Sequence, residues 1–184
     1  MQKAGEEQTG TMAAVVGLTP AVLEQVCAEA SAAGVVQAAN FNSPGQIVIS
    51  GSIDGVRQAM TLAKARGAKL VKELVVSGAF HSPLMASAGE GLLQALKKTP
   101  IDDARIPVYT NVTAEPVRKA DEIRDLLHRQ LTSPVRWEQS VRNMVRDGAQ
   151  RFTEAGPGKV LQGLVKRISP EASVGGVDTW SDFT

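Results

Sequence analysis

Val75-Val76-Ser77-Gly78-Ala79-Phe80-His81-Ser82-Pro83-Leu84-Met85 is the stretch at which the chain is predicted to pass from a strand into a helix. The apolar run from Leu70 to Val76 is typical of a strand. Pro83 suits the first turn of a helix, because the N–H that proline lacks has no helical partner there. His81 is therefore expected at a strand-to-helix junction, where an imidazole can reach a cleft and exchange protons near neutral pH.

Upstream of this junction, predicted strands and helices follow each other in a fixed order. The pattern predicts a strand over 12–18, a helix that begins at Thr19-Pro20, a hairpin with its turn at 42–45, a helix that ends at Gly67 and a strand over 69–76. The order strand–helix–strand–strand–helix–strand is the split βαβ pattern of ferredoxin-like units. The sequence therefore predicts a ferredoxin-like small subdomain over residues 11–76.

Downstream of the junction, the predicted elements are mostly helices with a few strands between them. Helices are predicted over 84–98, 120–131, 137–148 and 159–168, and strands over 106–111, 151–155 and 173–178. Such alternation is typical of a doubly wound parallel sheet, whose strands are normally buried on both faces. Residues 77–184 are thus expected to form part of a larger α/β unit that needs further strands for completion.

The composition restricts the classes of function and location. The 184 residues carry a net charge of +1, with 20 Lys and Arg against 19 Asp and Glu, and show no basic stripe, so no nucleic-acid partner is expected. No apolar run reaches the length of a membrane span, and no membrane partner is expected. The single cysteine, Cys27, lies on the apolar face of a predicted helix and fits a reducing compartment. These features predict a cytoplasmic protein.

Five segments of the chain carry a more specific signal. In chain order they are Asn-Phe-Asn-Ser-Pro-Gly-Gln over 40–46, Gly-Ala-Phe-His-Ser-Pro-Leu-Met over 78–85, Ile-Pro-Val-Tyr-Thr-Asn over 106–111, Gln-Leu-Thr-Ser-Pro-Val-Arg-Trp over 130–137 and Glu-Ala-Gly-Pro-Gly-Lys-Val-Leu over 154–161. Together they resemble the motifs of the malonyl-CoA:acyl-carrier-protein transacylases and the related acyltransferase domains of polyketide and fatty-acid synthases. The resemblance extends from about Thr11 to about Ile168.

The chain departs from this family at the nucleophile. The family uses a serine in a Gly-His-Ser-x-Gly elbow, whereas no Gly-x-Ser-x-Gly occurs here, and the nearest match, Met85–Gly89, lacks the first glycine. In the family the serine elbow, the oxyanion-hole glutamine and the arginine that pairs with the malonyl carboxylate all lie upstream of the position of Met1. The resemblance therefore implies the C-terminal part of an acyltransferase, which carries the base, has no nucleophile and is expected to be inactive alone.

The resemblance also assigns roles to four residues. It implies that His81 is the general base and that the backbone carbonyl of Gln130 orients it, which leaves the Gln130 side chain free to vary. Phe80 precedes the base, and in polyketide acyltransferases Ala-Phe-His at this site accompanies malonyl over methylmalonyl; an ordinary core phenylalanine is the alternative. Asn42 is a candidate to line the substrate pocket, and an Asx turn before Pro44 is the alternative.

The function implied is transfer of malonyl from malonyl-CoA to the phosphopantetheine thiol of acyl carrier protein in fatty-acid synthesis, through a serine ester. No cofactor and no metal are expected; His128 lacks neighbouring ligands, and Gly156–Lys159 lacks the spacing of a phosphate loop. A non-catalytic module, or half of a split enzyme that docks acyl carrier protein or a partner subunit, is the alternative. Two further partners are possible: an N-terminal acyltransferase half, or a second copy of the chain that pairs through the incomplete sheet. A polyketide synthase is an alternative context to fatty-acid synthesis.

Overall fold

The computed structural model describes residue 5 and residues 7–179, so the end of the predicted second unit, 180–184, lies outside the described residues. The elements up to the junction are β1 (Thr11–Val16), α1 (Pro20–Ala30), β2 (Val36–Ser43), β3 (Gln46–Gly51), α2 (Ile53–Ala65) and β4 (Leu70–Glu73). Beyond it lie a 3-10 helix (Pro83–Ala88), α3 (Gly89–Lys98), β5 (Val108–Tyr109), β6 (Pro116–Val117), α4 (Ala120–Arg129), α5 (Trp137–Arg146), β7 (Arg151–Ala155), α6 (Val160–Ile168) and β8 (Ser173–Val177). None of the helices within these residues is long and apolar enough to cross a membrane.

The first four strands form one antiparallel sheet in the order β2-β3-β1-β4. Helices α1 and α2 cover one face of it, because each has an apolar stripe at helical spacing that packs against alternate residues of the strands. The buried stripe residues are Leu23, Val26, Cys27 and Ala30 from α1 and Val56, Ala59 and Ala63 from α2. This topology confirms the predicted ferredoxin-like arrangement.

The start of α1 and the end of α2 lie at their predicted positions, and capping groups hold the starts of both helices. The Thr19 hydroxyl accepts a hydrogen bond from Val22 N at 3.4 Å ahead of Pro20, and the Ser52 hydroxyl accepts one from Gly55 N at 3.3 Å. Gly67 follows α2 with φ of +86°, a left-handed conformation that glycine adopts without a steric cost.

Strand β4 is shorter than predicted. It ends at Glu73, although Leu74 N still donates to Met12 O at 2.8 Å. Beyond that point Leu74 and Val76 pack on the sheet face opposite the helices, against a buried cluster of Met12, Ala39 and Val48. The chain therefore turns onto this face before it reaches His81.

The predicted helix over 84–98 and the predicted strand over 106–111 both differ from the structure. The helix is divided into the 3-10 helix and α3, and at the start of the 3-10 helix Met85 N donates to Ser82 O at 3.0 Å, the three-residue spacing typical of such a turn. The strand is reduced to β5, which pairs antiparallel with β6 instead of joining a parallel sheet. Ala114, with φ of +62°, turns the chain between β5 and β6.

Strands β7 and β8 form a parallel pair connected through α6, as predicted for this part of the chain. Phe152 and Val174 pack against Trp137 and the buried residues of α5 and α6 on one face of the pair. On the other face, Arg151, Thr153 and Ala155 of β7 are exposed. Because parallel strands are normally covered on both faces, this pair is incomplete in this chain.

Candidate active site

His81 lies in the link between β4 and the 3-10 helix, at the predicted junction. Its φ is +58°, in the left-handed region, which costs a residue with a side chain about 1–2 kcal/mol. The next residue, Ser82, is buried, and its hydroxyl donates to Ala79 O at 2.6 Å while it accepts from Leu84 N. Pro83 then begins the 3-10 helix. These contacts fix the backbone immediately after His81.

Phe80 anchors the other side of His81. It is half-buried and packs against the cluster of Met12, Ala39 and Val48 on the sheet face opposite the helices. The imidazole therefore projects from a residue whose two neighbours are both held by packing or hydrogen bonds. A catalytic side chain needs such support to keep its orientation.

Strand β2 holds the two segments that form the site. Gln37 Nε2 donates to His81 O at 2.8 Å and to Thr132 O at 3.4 Å. The edge of β2 also pairs with the chain after α4, since Phe41 N donates to Val135 O at 2.9 Å and Val135 N donates to Ala39 O at 2.8 Å. Sequence reasoning missed Gln37, whose only signal is a polar side chain inside a mainly apolar strand.

Gln130 caps the C-terminus of α4 and meets the imidazole through two atoms. Its carbonyl oxygen lies 3.1 Å from His81 Nδ1, and its side-chain Nε2 also lies 3.1 Å from the same nitrogen. The same Nε2 donates to Ser133 O at 3.2 Å. The Gln130 side chain is thus in contact with His81, in addition to the backbone carbonyl that the resemblance assigns to this role.

This geometry suits a proton acceptor. In the part of the chain that the structure describes, both hydrogen-bond contacts of the imidazole involve Nδ1. When Nδ1 carries the proton and donates to the Gln130 carbonyl, the lone pair of Nε2 is available. A histidine oriented in this way can act as a general base.

The two serines that follow His81 in the sequence, Ser82 and Ser87, are not placed as nucleophiles. Ser82 is buried and its hydroxyl is engaged by Ala79 and Leu84. Ser87 lies within the 3-10 helix, whereas an elbow serine sits on a tight turn between a strand and a helix. The cysteine is equally unsuited, because burial and the nearby Glu24 carboxylate raise the pKa of the Cys27 thiol to about 11.

Asn42 is half-buried near the end of β2. An Asx turn would need a backbone N–H two residues further on, and Pro44 at that position has none. Among the described residues the Asn42 amide has no hydrogen-bond partner, whereas the adjacent Ser43 hydroxyl donates to Gln46 Oε1 at 3.3 Å. The amide is therefore available to another molecule.

The first turn of α6 binds a carboxylate of the same chain, that of Glu154 in β7. Glu154 accepts hydrogen bonds from Leu161 N at 3.1 Å and from Gln162 N at 3.2 Å. Burial raises the pKa of this carboxyl, but the hydrogen bonds from Leu161 and Gln162 outweigh it and leave the pKa below its usual value. In residues 5 and 7–179, no group of three or more His, Cys, Asp or Glu side chains is placed to hold a metal ion.

Comparison with known proteins identifies several similar chains. The acyl transferase domain family matches residues 2–176. The malonyl CoA-acyl carrier protein transacylase of Bacillus subtilis (strain 168) is 45% identical over 170 residues, which are 92% of this chain and 54% of that protein. An acyl carrier protein S-malonyltransferase from Vibrio cholerae O1 biovar eltor superposes with a TM-score of 0.91 at 40% identity, covering 95% of this chain and 57% of the other. A malonyl-transacylase solved in complex with its type II PKS acyl-carrier protein superposes with a TM-score of 0.92 at 37% identity, covering 99% of this chain and 60% of the other.

The match is long on this chain and partial on its relatives. The chain spans about half the length of the curated relatives that it matches, and the matched segment is their C-terminal part. The ferredoxin-like sheet, His81 and Gln130 all lie within the matched range of 2–176. The chain belongs to the acyl transferase domain family.

Proposed function

We propose that this chain supplies the general base for transfer of a malonyl group from malonyl-CoA to the phosphopantetheine thiol of acyl carrier protein in fatty-acid synthesis. The observation that carries the proposal is the His81 imidazole, with Nδ1 at 3.1 Å from the Gln130 carbonyl and Nε2 without a partner among the described residues. The names of the relatives support the substrate and the carrier, because they are malonyl transferases that act on acyl carrier protein. The proposal includes a cytoplasmic location, which the single cysteine of the chain supports.

The reaction proceeds in two steps around a serine on a segment outside this chain. In the first, His81 Nε2 takes the serine hydroxyl proton as the oxygen attacks the malonyl thioester carbon, the carbon–sulfur bond breaks, and the proton passes to the departing sulfur of coenzyme A. In the second, Nε2 takes the proton of the phosphopantetheine thiol as its sulfur attacks the ester, and the serine oxygen leaves with that proton. The proposal includes no cofactor and no metal, as the resemblance to the transacylases implies.

The Gln130 carbonyl assists both steps in this scheme. It accepts from Nδ1–H, which stabilises the tautomer whose Nε2 is basic. It also stabilises the imidazolium that exists after each proton transfer, because both ring nitrogens then carry protons. This carbonyl takes the orienting role that a carboxylate has in other catalytic triads.

Phe80 and Asn42 complete the proposed pocket. A phenylalanine ring beside the base fills the space that a 2-methyl group would need, and one methyl group is worth about 1–3 kcal/mol of selectivity. The Asn42 amide is half-buried and has no partner among the described residues, so it is a candidate to hydrogen-bond the substrate.

The test is malonyl transfer to acyl carrier protein by the chain alone and after addition of the N-terminal part of the Bacillus subtilis relative. We expect no transfer by the chain alone, transfer on complementation, and loss of that transfer in His81→Gln. The matched control is His128→Gln, the same substitution at the other histidine, which should complement like the parent chain. Transfer that persists in His81→Gln would refute the role of His81.

The alternative is a non-catalytic module, or half of a split enzyme, that docks acyl carrier protein or a partner subunit. The exposed face of β7 and the half-length match favour it, because a parallel pair that is open on one face needs a covering partner. Calorimetric binding of holo-acyl carrier protein by the folded chain, with no transfer on complementation, would favour the non-catalytic module. A second copy of the chain on the same face would instead appear as a dimer in sedimentation.

A further inference from the structure

Gln130 offers His81 two contacts that no single neutral tautomer can satisfy. The carbonyl oxygen, 3.1 Å from Nδ1, can only accept a hydrogen bond, so it needs a proton on Nδ1. The side-chain Nε2, also 3.1 Å from Nδ1, can only donate, so it needs the lone pair of Nδ1. A neutral imidazole has one proton, and each tautomer therefore satisfies one contact and loses the other.

The orientation of the Gln130 amide follows from a third group. Its Nε2 lies 3.2 Å from the carbonyl oxygen of Ser133, which is only an acceptor. A flipped amide would place Oε1 against that oxygen and would lose the hydrogen bond. The amide must therefore present N–H groups to both Ser133 and His81.

We propose that the Gln130 side chain is a positioning residue that sets the tautomer of His81 in competition with its own backbone carbonyl. Either neutral tautomer keeps a partner at Nδ1, so both are populated. The Nδ1–H tautomer presents a lone pair at Nε2 and the Nε2–H tautomer presents a donor there. A partner that only accepts, such as a carboxylate, would hold the ring in the first form alone.

The proposal has a consequence for catalysis that rests on the proposed function. If His81 is the base, only the Nδ1–H tautomer can take a proton from the serine or the thiol. The Gln130 side chain then withholds part of the neutral population from proton abstraction. In return, the remaining population can donate a hydrogen bond from Nε2 to a bound substrate atom.

The test is the ratio of the two His81 tautomers, measured by two-bond proton–nitrogen correlation NMR of the imidazole at alkaline pH. The full chain is used with His128→Gln, which leaves His81 as its only histidine. Gln130→Met removes the amide and keeps the backbone carbonyl and the approximate volume. The matched control is Gln94→Met on α3, where the amide donates to the exposed Glu90 at 2.7 Å.

We expect Gln130→Met to raise the share of Nδ1–H relative to Nε2–H by about fivefold, the effect of one neutral hydrogen bond. Gln94→Met should leave the ratio unchanged. Gln130→Glu provides a second variant, since its carboxylate accepts from Nδ1–H and should move the ratio in the same direction. An unchanged ratio in both Gln130 variants, or an equal shift in Gln94→Met, would overturn the proposal.

Activity in the complemented enzyme forms a separate measurement. A shift in tautomer with unchanged transfer would leave the proposal on Gln130 intact and count against His81 as the base. Faster transfer in Gln130→Met, at unchanged KM, would support both. The two hypotheses can therefore fail independently.

Discussion

The backbone of His81 stores strain that a pair of substitutions can measure. With φ at +58°, any residue with a Cβ is unfavourable at this position, whereas glycine is not. We predict that His81→Gly is more stable than His81→Ala. Both substitutions remove the imidazole and its contacts with Gln130, so the difference between them isolates the backbone conformation.

The magnitude follows from two opposing effects. An alanine in the left-handed region costs about 1–2 kcal/mol, and a glycine costs about 0.5–1 kcal/mol through the greater freedom of the unfolded chain. Taking the midpoints of these two ranges, the net advantage of His81→Gly in the free energy of unfolding is about 0.75 kcal/mol. For a chain of 184 residues, this corresponds to a Tm that is higher by about 1–4 °C.

Urea denaturation followed by circular dichroism is the assay, with Gln94→Ala and Gln94→Gly as the control pair. Gln94 lies in α3, where ordinary helical backbone favours alanine by about 1 kcal/mol, so the sign of the difference should be reversed. A His81→Ala variant as stable as His81→Gly would refute the inference that the backbone is strained.

Three further predictions concern groups around the site and the core. Gln37→Leu removes the side-chain donor to the His81 and Thr132 carbonyls. It should lower the free energy of unfolding, measured in urea, by about 1–3 kcal/mol. A loss below about 0.5 kcal/mol would contradict a stabilising role for the Gln37 amide. Cys27 should resist Ellman's reagent in the folded chain. Because folding raises the pKa of its thiol from 9.0 to about 11, the folded state should lose stability as pH rises through this interval. Cys27→Ala should not show this loss. Glu154→Gln should lower the Tm at neutral pH but not at acid pH. The pKa of Glu154 is lowered in the folded state, so the ionised carboxylate stabilises the fold above the usual carboxyl pKa and this stabilisation is lost as pH falls. An equal change in Tm at both pH values would contradict this assignment.

The ferredoxin-like part of the fold could be predicted because its information is local. Thr19-Pro20 and Ser52 cap the starts of α1 and α2, and Gly67 ends α2. The apolar stripes have the helical period, and the strands between them are long enough to show a pattern. Each decision depends on residues a few positions apart in the sequence.

The hairpin of β5 and β6 could not be predicted in the same way. Two-residue strands are too short to show any period, and their turn depends on Asn143, which is buried in α5 and donates to Ala114 O at 2.9 Å. That contact joins residues 29 positions apart. A long-range hydrogen bond of this kind has no sequence signature.

The same distinction between local sequence and long-range contacts applies to the candidate site. The position of His81 at a junction follows from Pro83 and the apolar run before it, and the resemblance points to the Gln130 carbonyl. The contacts of Gln37 with His81 and Thr132 span 44 and 95 positions and need the folded sheet to bring them together. The second contact of Gln130, through its side chain, likewise depends on the conformation of the 130–133 turn.

If His81 is the base and Phe80 lines the pocket, as proposed, the packing of Phe80 constrains any redesign of acyl selectivity at this position. A smaller side chain introduced to admit a branched acyl group would empty a contact with Met12, Ala39 and Val48 as well as enlarge the pocket. The vacated volume lies directly beside the strained base, so its collapse would move His81. A successful variant would have to restore that volume from the opposite side, with a larger residue in place of Ala39 or Val48. A change in acyl selectivity at Phe80 therefore requires a second substitution that keeps His81 in place.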